Sequence, residues 1–120
     1  MPTLAVLLAA LLTGWLITGP AQAHALLLES QPKAGTTINA GPVDVLLRFN
    51  SRIDSLRSRL VLKDGQGGKH RLAVETGADA ASLKAHDDHL GPGKYLLHWE
   101  VLSVDGHVSR GDLGFSIGTP

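Results

Sequence analysis

Apolar and polar residues alternate with a period of two along much of this chain, the pattern of strands that turn one face to a core and the other to water. Val43, Val45, Leu47 and Phe49 alternate with Asp44, Leu46 and Arg48 after the breaker Gly41-Pro42. Tyr95, Leu97, Trp99 and Val101 alternate with Lys94, Leu96, His98 and Glu100, launched by the turn Gly91-Pro92-Gly93. After the loop Asp105-Gly106-His107, a last strand carries Leu113, Phe115 and Ile117 inward. Weaker runs are His24, Leu26 and Leu28 on one face before a Ser30 to Gly35 turn, Leu60 to Leu62 ending at Asp64-Gly65, and Leu72 with Val74 before Gly77. Short strands with turns about every ten residues predict an all-β domain, a small Greek-key β-sandwich or barrel of immunoglobulin-like or cupredoxin-like topology. No more than a helical turn is expected between Ala78 and Lys84. No repeat, low-complexity segment or second domain is visible.

The first residues follow a different pattern. Leu4 to Ile17 is an apolar run broken only by Thr13 and Gly14, followed by Gly19-Pro20 and the small-x-small triplet Ala21-Gln22-Ala23. That is the plan of a secretory signal peptide, although no Lys or Arg precedes Lys33. The run is shorter than the roughly 20 residues that cross a bilayer core. The expectation is a signal peptide at 1–23 and one exported domain at 24–120, without a membrane span and beginning at His24.

Composition narrows the chemistry. The 11 basic and 11 acidic residues balance, so neither a nucleic-acid stripe nor a polybasic membrane patch is suggested. Arg52, Arg57, Arg59 and Arg71 are interleaved with Asp54 and Glu75 and read as a mixed solvated face. There is no Cys, and the single Met is Met1, which leaves with the leader. A metal held by the mature chain is therefore bound through nitrogen and oxygen. A His24 freed by cleavage offers two such donors, its α-amine and its ring Nδ1, which close a chelate on one ion. Both lose their protons around neutral pH, and the pair suits Cu(II) in a tetragonal plane.

Asp105 and His107 stand at i and i+2 around Gly106, a spacing that puts both side chains on one side of an extended segment. Taken alone, the segment reads more readily as an Asp-Gly turn followed by a solvated histidine. His86-Asp87-Asp88-His89 precedes the Gly91-Pro92-Gly93 turn and reads as a polar loop that could hold at most a surplus ion weakly. His98 falls on the polar face of its strand, His70 in a loop, and Trp99 and Tyr95 in the core.

From His24 onward the chain resembles the CopC family of periplasmic copper-binding proteins. The resemblance rests on His24-Ala25-Leu26-Leu27 with Ser30-Gln31-Pro32-Lys33-Ala34-Gly35, on Val45 to Phe49, and on the long G-x-Y-x-x-x-W-x-V-x-S-x-D-G-H run from Gly93 to His107, closed by a G-x-x-x-F strand. It implies a Greek-key sandwich and one Cu(II) per chain, held by His24, Asp105 and His107. It also implies a role in copper buffering, transport or resistance, and a CopD-like inner-membrane partner; the chain itself is read as a monomer. Two positions depart from the family pattern. Asn50-Ser51-Arg52 stands where an S-E-P-like segment is common, and Val108 replaces a proline. The Met-rich Cu(I) site of some members has no ligands here, so affinity should fall on reduction. Two other classes remain on the sequence: a copper-dependent oxidative enzyme of lytic-monooxygenase type and a metal-free immunoglobulin-like interaction module. Against the enzyme, a domain this small leaves little room for a flat carbohydrate-binding face, and Asp105 would fill a position that oxygen needs open and favour Cu(II) over Cu(I). The module predicts no effect of metal on melting, whereas a copper site raises the melting temperature.

Overall fold

The computed structural model describes residues 25–119; the expected leader, its cleavage point and His24 lie outside the described residues. In chain order the strands are β1 (Leu27–Gln31), β2 (Thr37–Ile38), β3 (Gly41–Phe49), β4 (Ile53–Asp64), β5 (Lys69–Leu72), β6 (Glu75–Thr76), β7 (Ser82–Leu90), β8 (Gly93–Ser103) and β9 (Val108–Ile117). They form two sheets, of order β1-β3-β7-β6 and β2-β9-β8-β4-β5. The chain changes sheet after β1, β2, β3, β5 and β7, so the domain is a sandwich of crossing connections rather than a closed barrel. All neighbours are antiparallel except β2, which runs parallel to β9.

The alternation of the three clearest strands is what closes the two layers. Val43, Val45, Leu47 and Phe49 from β3 meet Leu97, Trp99 and Val101 from β8 and Leu113, Phe115 and Ile117 from β9 in one buried cluster. Leu47, Leu60, Leu83, Leu97 and Val101 are 0% exposed. Each buried Leu of this kind contributes about 1.5–3 kcal/mol. Phe49 and Trp99 pack edge to face with centroids 5.2 Å apart. At the far end the Tyr95 hydroxyl donates to the Gly91 carbonyl at 2.7 Å and pins the sheet-to-sheet turn; burial pushes its ionisation up.

Three expectations are corrected by the fold. At the start of the domain the inward residues are Ala25 and Leu27, while Leu26 and Leu28 are 60% and 51% exposed. With three leucines in a row both parities are apolar, and a bulge between Leu27 and Glu29 sets the register. The segment from Ala78 forms no more than a turn before β7 begins, as expected. His86 to His89 are strand residues of β7, because Leu83 and Ala85 face the core and Asp44 sits opposite His86. His70 likewise belongs to β5.

Trp99 lies across β9 at its cross-strand partner Gly111. A Cβ on Gly111 would come within 2.2 Å of the indole, so glycine is required there by close approach. The indole Nε1 is buried without an acceptor among the described residues. Gly111→Ala is expected to lower stability by about 1–3 kcal/mol through overpacking. Thermal melts and the emission of Trp99 should shift together; an unchanged emission spectrum would show that the ring does not rest there.

Candidate metal centre

The strands β8 and β9 are joined by a tight hairpin whose geometry follows from its sequence. The Gly106 amide donates to the Ser103 carbonyl at 2.9 Å, and the Ser103 amide to the His107 carbonyl at 2.8 Å. Gly106 has a φ of 93°, a conformation that side chains with a Cβ rarely adopt. The turn brings Asp105 and His107 to one side, with His107 Nδ1 3.1 Å from Asp105 Oδ1. The same carboxylate oxygen accepts the His107 backbone amide at 3.2 Å. That amide, and then the imidazole, holds the Asp105 carboxyl below the ordinary carboxylate range, so it is an anion at neutral pH. Both side chains are about half exposed, at 48% and 57%.

The chain enters the described fold next to this hairpin. The Ala25 amide donates to the Ser109 hydroxyl at 2.9 Å in a buried bond. Ser109 is two residues beyond His107. The Leu26 amide donates to Asn50 Oδ1 at 2.8 Å, and the Asn50 amide returns a bond to the Leu26 carbonyl at 3.1 Å. Ala25, Leu27, Trp99, Val108 and Ser109 line a shallow depression of about 490 Å³ at this seam between the sheets. The Asn50-Ser51-Arg52 segment thus acts as a clamp. Ser51 Oγ lies 3.4 Å from Ser103 Oγ, and the Arg52 carbonyl accepts the Val104 amide at 3.1 Å.

Of the three residues nominated from sequence, the fold brings Asp105 and His107 together; His24 is outside the described residues. Among the described residues no group of three or more His, Cys, Asp or Glu side chains converges as a metal site. Ser109 and Asn50 were not singled out from the sequence. The signal for Ser109 was present: the period that turns Leu113, Phe115 and Ile117 inward also turns residue 109 inward, and a polar side chain there needs a partner.

His86 and His98 have carboxylate partners of their own. His86 contacts Asp44 through Nδ1 at 2.7 Å and Asp88 through Nε2 at 3.0 Å, and His98 contacts Asp112 at 2.8 Å. The hydrogen bond to Asp44 is the main reason the His86 pKa is raised above 6.5. A raised folded value means that this clasp is fully formed below the ordinary histidine range and is lost as pH rises through the raised value. An NMR titration should find the His86 midpoint above that of a free histidine, and Asp44→Asn should bring it down. Ser109→Ala should cost about 1–3 kcal/mol, the penalty for a buried donor without an acceptor. Amide exchange at Ala25 should accelerate in this variant, which a purely local surface role for Ser109 would not produce.

A model of the CopC domain matches residues 27–118. Protein YobA of Escherichia coli K12 is 32% identical over 111 residues, covering 90% of each chain. Among solved structures, CopC from Methylosinus trichosporium OB3b gives a TM-score of 0.74 at 28% identity, over 80% of this chain and 95% of that one. PcoC of Escherichia coli, described as a methionine-rich copper resistance protein, gives 0.67 at 26% identity, over 79% and 99%. With the family model spanning β1 to the end of β9 and the sandwich shared with two CopC-type structures, this chain belongs to the CopC family.

Proposed function

We propose that the chain is a periplasmic Cu(II)-binding protein that buffers or carries copper, gripping one ion through the amine and ring of a cleaved N-terminal His24 together with Asp105 and His107. The observation that carries this reading is the buried bond from the Ala25 amide to Ser109, two residues from His107. In this reading His24, one peptide bond and so about 3.8 Å from Ala25 Cα to Cα, would present its terminal donors to the hairpin. The donor set fits the ion: two nitrogens of the terminus, an imidazole and an ionised carboxylate suit tetragonal Cu(II). In the tautomer that carries its proton on Nδ1, toward Asp105, the His107 ring leaves the lone pair of Nε2 for an incoming ion.

Copper is cargo in this reading, and the chain is a binding protein rather than an enzyme. Its methionine-rich relative PcoC differs in composition, since here the only Met is Met1. Soft Cu(I) prefers sulfur donors, so reduction should release the ion, and delivery to a CopD-like membrane partner is then coupled to that change. Among the described residues no helix is long and apolar enough to cross a membrane.

The test is Cu(II) electron paramagnetic resonance with intact mass on protein exported by a cell. Mass should report a chain beginning at His24, and the spectrum a tetragonal ion with nitrogen donors. One extra residue ahead of His24 turns the amine into an amide and should abolish the signal. Asp105→Ala and His107→Ala should each weaken binding by about 100-fold or more while leaving the metal-free melt unchanged. Wild type at a hundred times its dissociation constant should gain about 2.7 kcal/mol of stability. Full binding by the extended form would sink the terminal chelate.

A further inference from the structure

The charges that look mixed along the sequence separate by sheet in the fold. Glu75, which interrupts the arginines in sequence, belongs to β6 in the other sheet and pairs with Lys84 at 3.6 Å. On the outward side of β4, β5, β8 and β9, the cations Arg59, Lys63, Lys69, Arg71, Lys94 and Arg110 stand against two carboxylates, Glu100 and Asp112. Both are already engaged: Glu100 is shared by Arg59, at 3.1 Å, and Arg110, while Asp112 holds His98 at 2.8 Å. Arg57 and Asp54 pair with each other at the end of this face, at 3.8 Å. Lys63, Lys69, Arg71 and Lys94 have no carboxylate within ion-pair distance among the described residues. Lys63 and Lys69 are direct cross-strand partners, and like charges in that position repel.

The outward side of the other sheet is different. There Arg48 has Glu29 at 2.6 Å, Lys84 has Glu75, and His86 lies between Asp44 and Asp88. The formal net charge of zero thus hides one face with an excess of cations and one with an excess of carboxylates, the remaining charges completing the balance.

We propose that the outward face of β4, β5, β8 and β9 docks the protein on an anionic phospholipid surface. The unpaired cations do not converge on a point. They are spread over the neighbouring strands β5, β4 and β8, which lie about 4.8 Å apart in a sheet. A fluid layer of headgroup phosphates can meet each cation separately, whereas an acidic protein would need carboxylates fixed at matching positions. Contact with such a layer also relieves the repulsion between Lys63 and Lys69. Leu96, 38% exposed, stands among these cations and adds apolar contact; Leu56, 95% exposed, projects from a bulge in β4 at the end of the face. The Asp105–His107 hairpin leaves from β8 and β9 of the same sheet, so a docked molecule carries it at the rim of the contact. The inference uses no metal and does not rest on the copper reading.

The test uses metal-free protein as secreted by an expressing bacterium, sedimented with phosphatidylglycerol vesicles and, as the neutral control, phosphatidylcholine vesicles. At low salt the protein should bind the anionic vesicles only, and about 1 M salt should release it, because the Debye length is then about 3 Å. Lys63→Glu with Arg71→Glu should lower partitioning at least about tenfold. Lys33→Glu with Lys84→Glu makes the same change in net charge away from this face and should keep partitioning within about twofold. Melting curves establish that both variants fold; should the first not fold, Lys63→Gln with Lys69→Gln replaces it and should still weaken binding. No binding to phosphatidylglycerol at low salt, equal losses in the two double variants, or self-association in place of vesicle binding would each overturn the proposal.

Discussion

The buried hydrogen bond from the Ala25 amide to the Ser109 hydroxyl crosses the seam between the two sheets. On one side is the start of β1, an edge strand with a partner only in β3; on the other is β9, held on both flanks. Edge strands fray first because half of their backbone groups face water. This one is anchored at its first described residue by a bond that would leave a buried donor orphaned if it opened. Asn50 adds a two-way backbone bracket to Leu26 one step further along. Together they decide where the chain enters the sandwich, and that entry point is beside the β8–β9 hairpin. Any chemistry requiring the terminus and the hairpin at once depends on these contacts more than on the rest of the core.

The hairpin can hold polar donors because the core does not need it. Val101, at 0% exposure, and Ser103, at 2%, end the buried rows of β8, and Ser109 resumes them on β9. Between them Asp105 and His107 are exposed, tied to each other and to backbone, so an ion reaches them without opening a packed layer. The carboxylate is oriented by the His107 amide, a contact that does not compete with a metal for the imidazole. This is a division of labour typical of loops on rigid sheets.

Much of this was legible from residue order, for a definite reason. β3, β8 and β9 alternate strictly, so their inward faces could be read directly, and the same period turned Ser109 inward. Leu26-Leu27-Leu28 has no alternation, and its register is decided by Asn50, Ser109 and a bulge that lie far away in sequence. β7 looked like a loop because His86, Asp87, Asp88 and His89 are polar in succession. Its strand character comes from pairing with β3, where Asp44 meets His86. The first half of β4 escaped for a related reason: Ser55, Leu56 and Arg57 bulge outward, and the Ser58 hydroxyl fills the gap by accepting the Leu102 amide and donating to the Asp54 carbonyl.

Charge shows the same limit in a sharper form. Along the chain, Asp54 and Glu75 seem to dilute the arginines around them, yet folding removes Glu75 to the opposite sheet and pairs Asp54 with Arg57. Net charge is a sum over residues and survives folding unchanged. The field at a face depends on which strands are neighbours, and in a Greek-key sandwich consecutive strands such as β5 and β6 lie in different sheets. A balanced sequence can therefore carry a strong dipole across its sandwich. Screening sets the range of that dipole: at physiological salt the Debye length is about 8 Å, shorter than the roughly 10 Å between packed sheets, so each face acts on what touches it nearly independently of the other. The unpaired Lys63, Lys69, Arg71 and Lys94 are then not cancelled by the carboxylates behind them, and a neutral protein meets an anionic surface as a cation.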